Sequence, residues 1–315
     1  MRFLKNRVFV AYAVVYLLSL VLLVAVEGYP LGEALLVLGI FGIVLTLLAH
    51  LLTRSARPFH LSLHPGGSEM LVVLIFVVGM AAYLTFGFSP AETVTSRLLG
   101  QSELARLAGS GLRKLVFFAL VPAVVLSALF KYSLRDYGLQ LDAKAWRSHV
   151  PVLVGMVLVL ILFQYFLGGG AAPLRRGEFS AVQLAVGMPA VYLWLILEVG
   201  IVEEFFFRAM LQARLAAYFR SELSGVALAS LVFGLAHAPG IYLRGAEAII
   251  PGGGPPSLLS SVCYSIAVLS VTGFFIGLVW VRTKNLLLVV LIHAAGDLLP
   301  NFAELAGAMG IRGLH

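Results

Sequence analysis

Charge is scarce in this 315-residue chain: Asp, Glu, Lys and Arg make up 12% of it, against 61% hydrophobic residues. Soluble domains carry about 25% charged residues, so the excess apolar surface here needs lipid, and the mean hydropathy of +1.00 agrees. Cysteine is almost missing. The single Cys263 excludes an internal disulfide and a cysteine-based zinc site. The chain has no His-Glu-x-x-His helix, no glycine run followed by a phosphate-loop lysine, and no evident repeat. No small-x-small cleavage site precedes Glu27, so the first apolar stretch reads as a retained helix and not as a signal peptide. The formal net charge is +7, but the basic residues are scattered through short loops. They lack the block or stripe that phosphate backbones require, which argues against nucleic acid as a partner.

What the chain has is apolar runs near the length that crosses a bilayer, about 20 residues. Nine can be drawn, at 8–26, 31–53, 70–88, 113–130, 150–167, 184–208, 224–238, 258–281 and 286–300. The seventh is short for a full span. The pattern predicts an all-α, polytopic membrane bundle of eight or nine helices. Its organisation is expected to be N-terminal helices over 1–183, a functional core over 184–300 and a tail over 301–315. Arg54, Arg57, His60 and His64 lie in one loop, and Lys131, Arg135, Lys144 and Arg147 in another on the same side. By the positive-inside rule that side and the N-terminus face the cytoplasm, as in a prokaryotic plasma membrane. Residues 89–111 read as an interfacial amphipathic helix. The runs Gly168-Gly169-Gly170 and Gly252-Gly253-Gly254-Pro255-Pro256 read as flexible turns.

The informative contrast lies late in the chain. Glu198, Glu203, Glu204, His237, His293 and Asp297 all fall within or against apolar segments, where a charged group costs about 2.5 to 3.5 kcal/mol on insertion scales. Glu204 and Arg208, Phe233 and His237, and His293 and Asp297 are each four apart, on one helical face. Counted from a turn near 220–222, Glu203 and His237 lie about sixteen residues, or about 25 Å, along antiparallel helices. His293 lies only about nine residues, or about 13 Å, past a turn at 283–285. These depths agree if the first hairpin projects about 10 Å into the cytosol, as Arg214 and Arg220 suggest. Glu198 reads as a structural or cavity-lining residue.

A carboxylate, two imidazoles and an aspartate around one small pool of water suit attack of that water on a carbonyl. Arg208 keeps Glu204 ionised, leaving Glu203 to take a proton from water and return one to the leaving amine. His237 orients the water, and His293, positioned by Asp297, donates to the developing oxyanion. Phe233 and the run 205–207 exclude bulk water.

The ordered set Glu203-Glu204-x-x-x-Arg208, Phe233-x-x-x-His237 and His293-x-x-x-Asp297 resembles the three motifs of the CPBP family, which includes the CaaX-processing endopeptidases. The resemblance implies an intramembrane glutamate-type endopeptidase with a cavity open to the cytosol and a peptide or protein substrate met at the membrane. It matches Glu203 with the water-activating glutamate and His237 with its partner. Glu204 and Arg208 match the supporting pair, and His293 and Asp297 the oxyanion-binding pair. Asp297 stands where the CaaX enzymes carry asparagine, and an ionised aspartate cannot donate to an oxyanion. No cofactor is expected. Two other readings of the same residues stay open, a zinc hydrolase using the histidines and glutamate as ligands and a non-catalytic membrane partner or transporter.

Overall fold

The computed structural model describes residues 5–63, 65–87, 89–244, 249 and 254–314. His64 and the pair Gly252-Gly253 lie outside them. Among the described residues nine helices are long and apolar enough to cross a membrane: α1 (Arg7–Ala25), α2 (Leu31–Leu52), α3 (Gly67–Phe86), α4 (Glu103–Phe130), α5 (Ala143–Leu167), α6 (Ala181–Tyr218), α7 (Glu222–Leu243), α8 (Leu258–Thr283) and α9 (Leu286–Ala308). All other regular elements described are also helical. Polar caps set several starts. Asn6 accepts from Phe9 N, Asp142 from the Lys144 and Ala145 amides, and Asn285 from Leu288 N, each satisfying amides that the first turn leaves without an internal partner.

The seventh span is not short. α7 runs on through Pro239, so His237 sits inside a helix and not at its end. Hydropathy falls at the His-Ala-Pro-Gly stretch although neighbouring helices keep it helical. The polar region 89–111 divides into a helix over Ser89–Leu99 and the first turns of α4. They are tied by Arg113 Nη1 to Thr95 Oγ1 at 2.5 Å.

Burial is uneven along the bundle. α1 to α5 show rows of exposed leucine and valine, as lipid-facing helices do, whereas every residue from Glu204 to Arg214 is buried. One core joins Leu45, Val73, Phe118 and Met156 of the early helices to Phe206, Phe233, Ile276 and Ile292. α7 and α8 come close through small residues: a Cβ on Gly273 would lie 3.0 Å from the Phe233 ring, and one on Gly277 would lie 3.3 Å from Val226 Cγ1. Without a hydrophobic drive between helices in lipid, such close packing is a main source of association. α1 belongs to this assembly, with Tyr12 OH 3.0 Å from Ser270 Oγ and Asn6 Nδ2 donating to Ser221 and Ser224. Gly170 is not a free turn, because a Cβ there would lie 2.6 Å from Pro300 Cα.

The expected 10 Å projection of the α6–α7 turn is absent. Glu222 on that turn holds Lys284 on the α8–α9 turn at 2.7 Å, which sets the two turns at one level. Arg214, expected on the projection, is fully buried and paired with Glu69 of α3 at 2.7 Å. Counting residues along α6 overestimates depth because the helix is widened to i→i+5 bonding over Ile196–Gly200 and Phe205–Gln212, placing more residues in each turn.

Candidate active site

The two widened stretches of α6 flank Glu203 and Glu204, and single-turn widenings of this kind often mark functional positions. Glu204 is fully buried between two partners. Its Oε1 accepts from His293 Nδ1 at 2.6 Å, and its Oε2 lies 3.0 Å from Arg208 Nε. The second contact is an ion pair without hydrogen-bond alignment, and Arg208 Nη1 and Nη2 have no hydrogen-bond partner among the described residues. The guanidinium instead lies over the Phe233 ring, 5.2 Å from its centroid, a geometry in which the ring face attracts a cation.

His293 is therefore held from its Nδ1 side by Glu204, which the motif spacing did not reveal. Its Nε2 points into the site, 3.5 Å from Asp297 Oδ2 and 3.8 Å from Glu203 Oε2. Asp297 does meet the ring as expected, but at Nε2. Longer-range contacts set α9 itself. Asn285 Nδ2 donates to His149 Nδ1 at 2.9 Å, and His149 Nε2 donates to Arg57 O at 2.9 Å, anchoring the helix two turns before His293.

On α7, His237 Nδ1 donates to Phe233 O at 2.8 Å, and the two rings lie 4.9 Å apart. A carbonyl only accepts, so the neutral ring presents the lone pair of Nε2. Glu203 and His237 together line two cavities. One, of about 230 Å3, also has His293, Asp297 and Thr272 in its wall. The other, of about 250 Å3, is bounded by Met80, Phe118, Lys114 and Glu198. Lys114 of α4 is ion-paired with Glu198. Its only signal in the sequence was the basic pair Arg113-Lys114 at the start of an apolar run.

No residue of the loops at the basic end lines either cavity. Along α6 the buried run 205–214, with Phe205, Phe206, Phe207 and two arginines, separates Glu203 from the α6–α7 turn. As for a zinc set, the described residues contain no group of three His, Cys, Asp or Glu side chains arranged to hold a metal ion.

Residues 185–299 match the family model described as type II CAAX prenyl endopeptidase Rce1-like. No curated protein and no solved structure matches the chain.

Proposed function

With residues 185–299 forming an Rce1-like endopeptidase domain of the CPBP family, and the chain thereby a membrane peptidase, we propose that Glu203 and His237 activate the water that cleaves the peptide bond. The observation that carries this reading is the convergence of Glu203, His237, His293 and Asp297, from three helices, on one cavity.

Water between Glu203 and His237 Nε2 attacks the carbonyl carbon and its proton passes to the Glu203 carboxylate. The carbonyl electrons move onto oxygen, and His293, protonated at both nitrogens, donates from Nε2 to that oxyanion. Glu204 holds the other face of the ring through Nδ1, and Asp297 favours its charged form. As the intermediate collapses, the C–N bond breaks, Glu203 returns the proton to the leaving nitrogen and the carbonyl re-forms. Each of these steps is written with side chains and water alone. Phe206 and Phe207 keep bulk water from the polar groups.

The substrate is a peptide or protein segment that arrives through the membrane. The cavities' walls support this reading, since the residues that line them are helical and largely apolar and none comes from the basic loops. The basic end is cytoplasmic by the charge rule.

The test uses purified full-length protein and Glu203→Gln. The variant should lose cleavage of membrane-protein substrates by at least about 100-fold with unchanged thermal unfolding, and the wild type should retain activity in strong chelators. Cleavage by Glu203→Gln at the wild-type rate would remove the glutamate from the mechanism, and loss of activity on chelation would restore the zinc reading.

A further inference from the structure

The largest cavity described, about 520 Å3, lies away from the peptidase site, between the segment 58–63, the turn joining α6 to α7, and the end of α8. Its wall is built and not loose. Phe59 N donates to Thr283 O at 2.9 Å, Gln140 Nε2 to His60 O at 2.9 Å, and Ser62 N to Asp136 Oδ1 at 3.2 Å. Partial burial pushes the Asp136 carboxyl up, but the bonds it accepts from Ser133 and Ser62 pull it below the ordinary carboxylate range. It therefore stays ionised and keeps the segment in place.

The charged groups lining the cavity are Arg220, Lys284 and Glu222, with His60 beside them. Arg220 and Lys284 both have φ of 49°, the left-handed conformation that usually falls to glycine after a helix. Lys131, the third such non-glycine residue described, has φ of 62° and ends α4 outside this cavity. A cation after a helix offsets the dipole at its C-terminus, which accounts for one such residue at a time. It does not account for two of them converging on one cavity. Glu222 cancels Lys284, with both carboxylate oxygens at 2.7 and 2.8 Å. Arg220 has no acid within ion-pair distance among the described residues, so Arg220, Lys284 and Glu222 together carry one net positive charge. Ser221 Oγ accepts from Asn6 Nδ2 and from Ser224 N, leaving its hydroxyl proton as a donor. Phe59, Leu61, Leu63 and Val281 complete an apolar wall.

A single net positive charge, a free guanidinium, a hydroxyl donor and an apolar side, at the end of the bundle where basic residues gather, fit the monoanionic phosphodiester of a phospholipid with its glycerol and first acyl carbons. We propose that this cavity is a phosphate site occupied by the headgroup of an anionic membrane lipid. Bound there, the lipid clamps the turn between α6 and α7 to the end of α8, and so braces the helices that carry Glu203, His237 and, through the next turn, His293.

The test is thermal unfolding of the full-length protein reconstituted in phosphatidylcholine vesicles with and without phosphatidylglycerol. Phosphatidylglycerol should raise the wild-type Tm by several degrees, as a ligand of the folded state does. Arg220→Gly suits the left-handed backbone, so it should unfold no earlier than wild type in phosphatidylcholine alone yet lose most of the phosphatidylglycerol-dependent rise. Glu222→Gln removes the competing carboxylate and should enlarge that rise. Inorganic phosphate added to phosphatidylcholine vesicles separates the sources: a rise that Arg220→Gly abolishes assigns the phosphate site to a soluble anion, and no rise assigns it to lipid. An unchanged lipid response in both variants, or no response in the wild type, overturns the proposal.

Discussion

Replacing Glu204 with glutamine keeps its shape and removes its charge from the most buried part of the site. Arg208 is fully buried and sits 3.0 Å from Glu204 Oε2, and its Nη1 and Nη2 have no hydrogen-bond partner among the described residues. No other acid lies within ion-pair distance of it among the described residues, so Glu204→Gln leaves a buried guanidinium without its direct counter-charge. Breaking a buried pair from one side costs about 3 to 5 kcal/mol. The charged hydrogen bond to His293 Nδ1 weakens too, within the range of about 1.5 to 3 kcal/mol for such bonds. The two costs overlap, and about 4 kcal/mol is a fair sum against a typical total stability of about 5 to 15 kcal/mol. At about 2 to 4 °C per kcal/mol for a chain of this order of size, Tm in detergent should fall by about 10 °C. The double variant Glu204→Gln/Arg208→Met removes both charges and should recover part of that loss. It should not recover peptidase activity, because His293 has lost the anion that holds Nδ1. The reasoning is refuted if Glu204→Gln unfolds at the wild-type temperature, or if the double variant unfolds earlier than the single one.

Three further outcomes follow from other contacts. His237→Gln cannot accept a proton, so kcat should fall by about 100- to 10,000-fold. Tm should move by no more than the one lost bond to Phe233 O, about 1 kcal/mol; a fall in stability without a fall in kcat would reassign the histidine to structure. Glu69→Gln unpairs Arg214, whose guanidinium carbon lies 4.6 Å from the centre of the Tyr132 ring, and removes the charge that Tyr132 OH meets at 2.8 Å. Thermal melts should show a cost of about 3 to 5 kcal/mol, while cleavage per folded molecule stays at the wild-type level. Gly170→Ala drives a Cβ to 2.6 Å from Pro300 Cα. Backbone must move, so about 1 to 3 kcal/mol of stability should be lost, and a variant with unchanged Tm would show that this contact is slack.

Much of this architecture was legible before any coordinates, and for a local reason. A lipid solvent requires each crossing segment to be apolar over about 20 residues and to satisfy its own backbone. Spans can therefore be counted one at a time along the chain. The same economy made Glu203, Glu204, His237, His293 and Asp297 stand out, since a polar residue in such a segment is costly wherever its partner lies. Pairs four apart were also within reach, and Glu204 with Arg208 is found as an ion pair.

Contacts between helices far apart in the chain were a different matter. The partner of Glu204 on α9 is 89 residues away, that of Glu198 on α4 is 84 away, and that of Arg214 on α3 is 145 away. Periodicity reports the face of one helix and carries no information on which other helix covers it. Depth counting failed for a related reason: the widened turns of α6 and the ion pair joining two turns set the level of Glu203, and both depend on packing. Composition and spacing thus settled that this is a membrane-spanning helical chain and which side chains were costly enough to need a purpose. Only the packed bundle decided which groups meet, and that a second, cationic cavity lies beneath the turns.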